Sequence, residues 1–316
     1  MRKLRIIPDD TRIRFMWLRR FNFPISIALS VVSVAIFFLI GPQYGIDFRG
    51  GTLIEMQPLS ESVQLADIRS TLDSLNLGDV QVQQVSDLTA GTNILVRIQT
   101  QDGGEEAQQA AIARVRAALN DRVEFRRVEI VGPRVSGELA FNGTVGMIVA
   151  LVGIMIYVWF RFEWQFAVGA IICTIHDVLM TLGFFTVFQL EFNLSIIAAL
   201  LTIIGYSLND TVVVYDRIRE NLRKFKKMPL SELIDRSVNE TLARTTTTSL
   251  TTLLALFALF IFGGSMISSF VAAMIFGIVI GTYSSIYIAA PILIYFKLRG
   301  EAPTAGEPEA VEPAEA

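Results

Sequence analysis

Six apolar runs, at 24–40, 141–160, 166–190, 192–214, 245–262 and 270–296, restrict this chain more than any other feature. Each is of a length that crosses a bilayer, and in hydrocarbon every backbone N–H and C=O needs a partner within the protein, so each is expected to be a helix. The fifth is the weakest, because its purely apolar part, 250–262, is too short and reaches bilayer length only with the hydroxyl-rich 245–249. Composition agrees: 52% of the 316 residues are hydrophobic and 18% charged, which sets the chain among integral membrane proteins.

The charges give the orientation. Arg2, Lys3, Arg5, Arg12, Arg14, Arg19 and Arg20 precede the first run. Arg161 follows the second; Arg217, Arg219, Arg223, Lys224, Lys226, Lys227, Arg236 and Arg244 lie between the fourth and fifth; Lys297 and Arg299 follow the sixth. All fall on one side, which the positive-inside rule makes cytoplasmic, together with both termini. The basic start resembles a signal peptide, and Arg19-Arg20 a twin-arginine signal. The run continues into GPQYGIDF with no small-x-small cleavage site, and Asn22 stands where the export motif wants a large apolar residue, so it reads as an uncleaved span. Residues 1–23 are then a basic cytoplasmic arm. The one cysteine, Cys173, leaves no intrachain disulfide.

Residues 41–140 are polar enough to be a folded extracytoplasmic domain. Strands are expected at 51–57, at 80–85, around the alternating Ile94, Val96 and Ile98, and at 124–131. Leu65, Ile68, Leu72 and Leu75 keep helical spacing, as do Ile112, Val115 and Leu119, with Asp102 and Glu105 expected to cap and open the second helix. The order βαββαβ predicts a ferredoxin-like α+β domain inserted between the first two of six transmembrane helices. No cluster in it has the look of a metal or catalytic site. The remaining helices form a five-helix bundle over 141–297, with a cytoplasmic loop at 216–244. The end, 298–316, is rich in Pro, Ala and Glu without apolar periodicity and is expected to be a disordered acidic tail.

Small residues recur every four positions in the sixth run, at Ala273, Gly277, Gly281, Ser285 and Ala289, and three or four apart in the second, at Gly143, Gly146, Ala150 and Gly153. That spacing puts them on one helix face and lets another backbone come close, in bundle packing or against a partner subunit.

The polar residues inside the runs carry the functional signal. An ionised Asp at a helix centre costs roughly 2.5–3.5 kcal/mol even on lenient insertion scales, so Asp210, beside Asn209, is expected either to handle protons or ions or to fix packing. Tyr206 and Ser207 lie one turn from it. Asp210 sits about 25 Å in from the outer face at 1.5 Å per residue, and Arg244 near the inner edge of the fifth run, with Thr248 one turn on, so their depths are compatible. His176 and Asp177 stand midway along the third run, either as a structural pair or as a relay. One His and one Cys exclude a zinc site, and no cofactor is expected.

Five stretches carry a resemblance: GIDFRGGTLIE from Gly45, VGPRVSGEL from Val131, HDVLMTLGFF from His176, IGYSLNDTVVVYDRIREN from Ile204 and TLARTTTTSLTTLLAL from Thr241. Together they are highly specific, and the chain resembles, to about Lys297, the SecF family of the bacterial SecD-SecF protein-export complex, in the superfamily of the proton-driven RND efflux pumps. The resemblance implies an inner-membrane, non-enzymatic subunit that pairs with SecD in a twelve-span unit, contacts the SecYEG channel and YajC, and uses the proton-motive force to complete polypeptide export. It places the family's membrane Asp and Arg on Asp210 and Arg244, and it implies no nucleic acid partner. The extended acidic tail departs from the family pattern.

The energetics are consistent with that role. Desolvation disfavours an ionised carboxylate and a nearby guanidinium favours it, so an arginine moving toward or away from an acid alternates proton release and capture. One proton crossing ~150 mV delivers about 3.5 kcal/mol, with about 1.4 more per pH unit, enough to bias two states over a hundredfold. Two other readings stand beside it: a stand-alone proton-coupled small-molecule transporter, and an intramembrane aspartyl protease built on Asp210 and Asp216. The second lacks the Gly-x-Gly-Asp partner motif, since Ser207, Leu208 and Asn209 precede Asp210.

Overall fold

The computed structural model describes Pro8 and residues 11–60, 63–87, 91–296 and 298, and most of them are helical. Helix α1 (Arg19–Leu39) leads into a two-residue strand β1 (Gln43–Tyr44) and a single turn α2 (Ile46–Arg49). Then come β2 (Gly51–Pro58), α3 (Leu65–Asp73), β3 (Val80–Asp87), β4 (Gly91–Ile98), α4 (Gly104–Leu119) and β5 (Val123–Val131). The rest is α5 (Pro133–Arg161), α6 (Trp164–Val187), a two-residue strand β6 (Glu191–Phe192), α7 (Leu194–Lys224) and α8 (Leu230–Phe262). A last span runs through α9 (Ser265–Ser284), a π turn (Ser285–Ala289) and α10 (Ala290–Tyr295). Six helical stretches are long and apolar enough to cross a membrane, as the six runs predict.

The four longer strands form one sheet in the order β3-β4-β2-β5, every neighbour antiparallel. Alternation sends Ile54, Met56, Val82, Ile94, Val96 and Ile98 to one face, where they bury against Ile68 and Leu72 of α3 and Ala111, Val115 and Leu119 of α4. Asp102 does not cap α4: the N-cap is Gly103 at φ 115° with no side-chain cap bond, and Gly104 is also at positive φ. The chain reverses at these two glycines, which leaves Asp102 too early to reach the helix end. Glu105 and Glu106 do occupy the first turn, where they complement the helix dipole.

The helices outrun their apolar runs. Helix α5 starts at Pro133 rather than 141, and α7 and α8 extend so far that the polar connection expected over 216–244 is mostly two helical extensions joined by 225–229. Hydropathy marks where lipid touches a helix, not where backbone pairing stops. These flanks pair with each other through polar side chains instead: Asn221 Nδ2 donates to Ser237 Oγ at 3.0 Å in a buried contact, and Arg217 Nε bonds Glu240 at 2.6 Å. The chain before α1 lies along the same α8 extension, with Asp235 Oδ1 accepting the Met16 N–H at 2.8 Å and Asn239 bonding both the N–H and the C=O of Ile13.

Within the bundle, α6, α7 and the last span are about half buried, whereas α1, α5 and α8 present most of their surface outward. The residues before 11 other than Pro8, and the acidic tail other than Leu298, lie outside the described residues.

Candidate functional site

Three contacts set the antiparallel register of α7 on α8: Tyr206 with Thr252, Arg217 with Glu240 and Asn221 with Ser237. That register puts Asp210 at the level of Thr248, and Arg244 about one turn nearer the basic end. Asp210 is 2% exposed, and its Oδ2 is buried with no hydrogen bond from the described residues. The charge of Arg244 acts on Asp210, but no ion pair closes between them among the described residues, and the Arg244 side chain is exposed. A second unpartnered oxygen, Thr245 Oγ1, is buried beside Arg244 in sequence.

The residues expected to support Asp210 are turned elsewhere. Tyr206 reaches Thr252 at 3.5 Å, and Thr248 bonds the carbonyls of Arg244 and Thr245 in its own helix. Asn209 is exposed, one position round the helix from the buried acid. Ser207 donates to Asp177 Oδ2, on α6.

Asp177 is therefore the centre of a different arrangement. It is fully buried, and its Oδ2 also accepts the Ser284 hydroxyl at 2.8 Å, while Oδ1 meets His176 Nδ1 at 3.0 Å. Cys173 Sγ lies 3.1 Å from Ser284 Oγ and 3.9 Å from Thr211 Oγ1. One carboxylate thus joins α6, α7 and α9. His176 has its other ring nitrogen, Nε2, buried and without a partner among the described residues, and its ring lies 6.4 Å from Tyr283, whose hydroxyl bonds Ser26 of α1 at 2.9 Å.

The last span reaches this knot because its small face admits α7. A Cβ on Gly277 would lie 2.4 Å from Ile203, and one on Gly281 would lie 2.9 Å from Ser207. Just beyond Ser284 the helix widens into the π turn, and Tyr215 OH satisfies the Ala289 carbonyl there at 2.9 Å. In α5 only Gly143 makes a close approach, to Ile197 and Leu194. A Cβ on Gly146 would meet no described atom within 4 Å and Ala150 is half-buried, so of the two expectations for Gly146 bundle packing is not met among the described residues: its face of α5 points out of the bundle.

Sequence reasoning missed Ser284, because it lies beside the small-residue stripe rather than in it. The signal was present as one more hydroxyl at helical spacing from Gly277 and Gly281. It also missed Asp47, whose Oδ2 accepts the Leu194 N–H at the start of α7 at 3.0 Å. Among the described residues no group of His, Cys, Asp and Glu is arranged to hold a metal ion.

A family model described as the C-terminal part of the protein export membrane proteins SecD/SecF matches residues 111–299, and a SecD/SecF GG motif model matches 35–58. The protein translocase subunit SecDF of Brucella abortus is 46% identical over 97% of this chain, which spans only 40% of that longer protein. Subunit SecF of Cereibacter sphaeroides is 45% identical, with 93% of this chain covering 92% of that one. Among solved structures, a crystal structure of SecDF from Thermus thermophilus, a translocon-associated membrane protein, matches with a TM-score of 0.82 and 36% identity over 92% of this chain and 39% of its own length.

Proposed function

From the premise that this chain belongs to the SecD/SecF family of protein export membrane proteins, we propose that it is the SecF-type half of a unit that couples proton flow to polypeptide export. SecD is its partner, a reading supported by the relative in which the two are fused and by the solved SecDF. The proposed setting is the bacterial inner membrane, with both termini cytoplasmic and the unit working beside the SecYEG channel and YajC on an emerging polypeptide. The sheet domain, in this reading, is a ferredoxin-like lever on the outer side, between the first span and the lead-in of α5. No cofactor takes part.

One observation carries the proposal: Asp210 is buried at bilayer depth with an oxygen that no described residue satisfies, while Arg244 stands on the neighbouring helix with no ion pair to it among the described residues. A buried carboxylate without donors is costly when ionised and is relieved by a proton or by the approach of a cation. If α8 slides on α7, Arg244 approaches or leaves, and the acid releases or takes up a proton. Asn209, exposed at the same depth, then faces the partner subunit rather than lipid. Asp216 does not act as a second catalytic acid, since it pairs with Arg161 at 3.2 Å and with Arg219.

The test is export into inverted vesicles with ATP supplied, measured with and without a proton gradient. Asp210→Asn keeps size and polarity but cannot titrate, so it should assemble with SecD and export at the gradient-independent rate. Arg244→Lys should be impaired less than Arg244→Ala, because it keeps the charge and loses only the planar fork. Full gradient stimulation in Asp210→Asn would refute the assignment.

A further inference from the structure

We propose that the stretch Gln43 to Gly51 is the rod through which helix α7, bearing Asp210, moves the sheet domain, with Asp47, Arg97 and Glu191 as its positioning residues. The inference rests on the proton-carrying reading of Asp210.

The rod is fastened to the outer end of α7 at successive residues. β1 pairs in parallel with β6, Gln43 opposite Glu191 and Tyr44 opposite Phe192, and the Gly45 N–H donates to the Phe192 carbonyl at 2.8 Å. Two residues on, Asp47 takes the Leu194 N–H. Leu194 opens α7, and its N–H has no partner within the helix, so an acceptor carboxylate there satisfies an orphan donor and complements the positive end of the helix dipole. The rings of Tyr44, Phe48 and Phe192 close over the junction at 5.6–6.1 Å.

The other end of the rod enters the sheet without slack. Gly50 and Gly51 have φ of 71° and 115°, a region that L side chains rarely adopt. A Cβ on Gly51 would lie 2.3 Å from the Ile98 carbonyl oxygen, and one on Gly50 would lie 2.9 Å from Thr100 Oγ1 and 3.2 Å from the Val131 carbonyl oxygen. The backbone is wedged between the ends of β4 and β5, so the two glycines make a tight joint rather than a loose hinge. A second fastening runs from the sheet itself: Arg97 of β4 pairs with Glu191 of β6 at 3.2 Å, the side chains only 12% and 13% exposed. An ion pair this sheltered holds position, because separating it strands two charges away from water.

Between Leu194 and Asp210, α7 is one helix of about 24 Å without proline. A rigid shift or rotation at the acid therefore arrives at Leu194, and from there through Asp47 and Glu191 at the sheet. The Gly50-Gly51 pair sits where the motion would change hands.

The experiment uses the full chain with SecD in inverted membrane vesicles that retain the export channel and are supplied with ATP, carrying Cys173→Ser and spin labels at Asp121→Cys in the sheet domain and Phe262→Cys at the outer end of α8. Three quantities are read with and without a proton gradient: the inter-label distance, gradient-stimulated export, and the infrared signal of Asp210 protonation. Asp47→Ala with Arg97→Ala should keep the protonation signal, lose the gradient-dependent distance change, and export at the level of Asp210→Asn. Asp47→Asn retains an acceptor oxygen and should behave as wild type, and the reversed pair Arg97→Glu with Glu191→Arg should restore what Arg97→Ala loses. A double alanine variant that moves and exports as wild type would overturn the rod. Absence of the Asp210 signal in the otherwise unaltered protein would overturn the proton reading beneath it.

Discussion

Two carboxylates lie one helical turn apart in depth in the same bundle, and they are built in opposite ways. Asp177 is buried among donors from three helices, with Ser207, Ser284 and His176 each occupying it. Asp210, a turn beyond Ser207 on α7, is nearly as buried and has a bare oxygen. Burial alone does not make a proton site. The hydroxyl donors satisfy Asp177 where it stands and make it a tie between helices, whereas Asp210 keeps a buried oxygen with no donor among the described residues. The sequence suggests both residues as candidates; their donors separate them.

The comparison breaks most visibly if the tie is cut. Asp177→Ala strands the Ser207 and Ser284 hydroxyls and His176 inside the bundle, and unfolding in detergent should show a loss of about 3 kcal/mol or more. Asp210→Asn strands nothing, and its stability should stay within about 1 kcal/mol of wild type. Equal losses in the two variants would erase the distinction.

The donors reach Asp177 only because the last span lies against α7, so overpacking that contact should weaken the tie from a distance. Gly281→Val drives a side chain into Ser207 and should cost about 1–3 kcal/mol, while Gly146→Val, where a Cβ meets open space, should stay within about 0.5–1 kcal/mol. Comparable losses at both positions would remove the argument from close approach. A smaller effect sharpens the same point. Ser284→Ala removes one of the donors and should cost about 1 kcal/mol while leaving gradient-stimulated export intact. Loss of stimulation in that variant would move the proton path to Asp177.

Much of this was legible in the residues. Apolar length gives the six spans, alternation gives the sheet face of Ile94, Val96 and Ile98, and the cost of an acid at bilayer depth marks both Asp177 and Asp210 without telling them apart. What was not legible depends on chain segments meeting. The helical extensions of α7 and α8 are held by Asn221 with Ser237 and Arg217 with Glu240, pairs that no hydropathy window detects. Strands β1 and β6 are two residues each and exist only because the first span ends beside the start of α7. Ser284 reaches Asp177 through the close approach at Gly281, just before a π turn that no local pattern announces. Asp102 had the spacing of a cap and lost the position to a glycine whose backbone could turn the chain.

The central claim is that the proton sits on Asp210 and not on Asp177. Infrared difference spectra of the complex in membranes, recorded between alkaline and acidic conditions, read it directly through the C=O stretch of a protonated carboxyl. The account predicts a band that appears on acidification in wild type, disappears in Asp210→Asn and persists in Asp177→Asn. A band that survives in Asp210→Asn and vanishes in Asp177→Asn would contradict it.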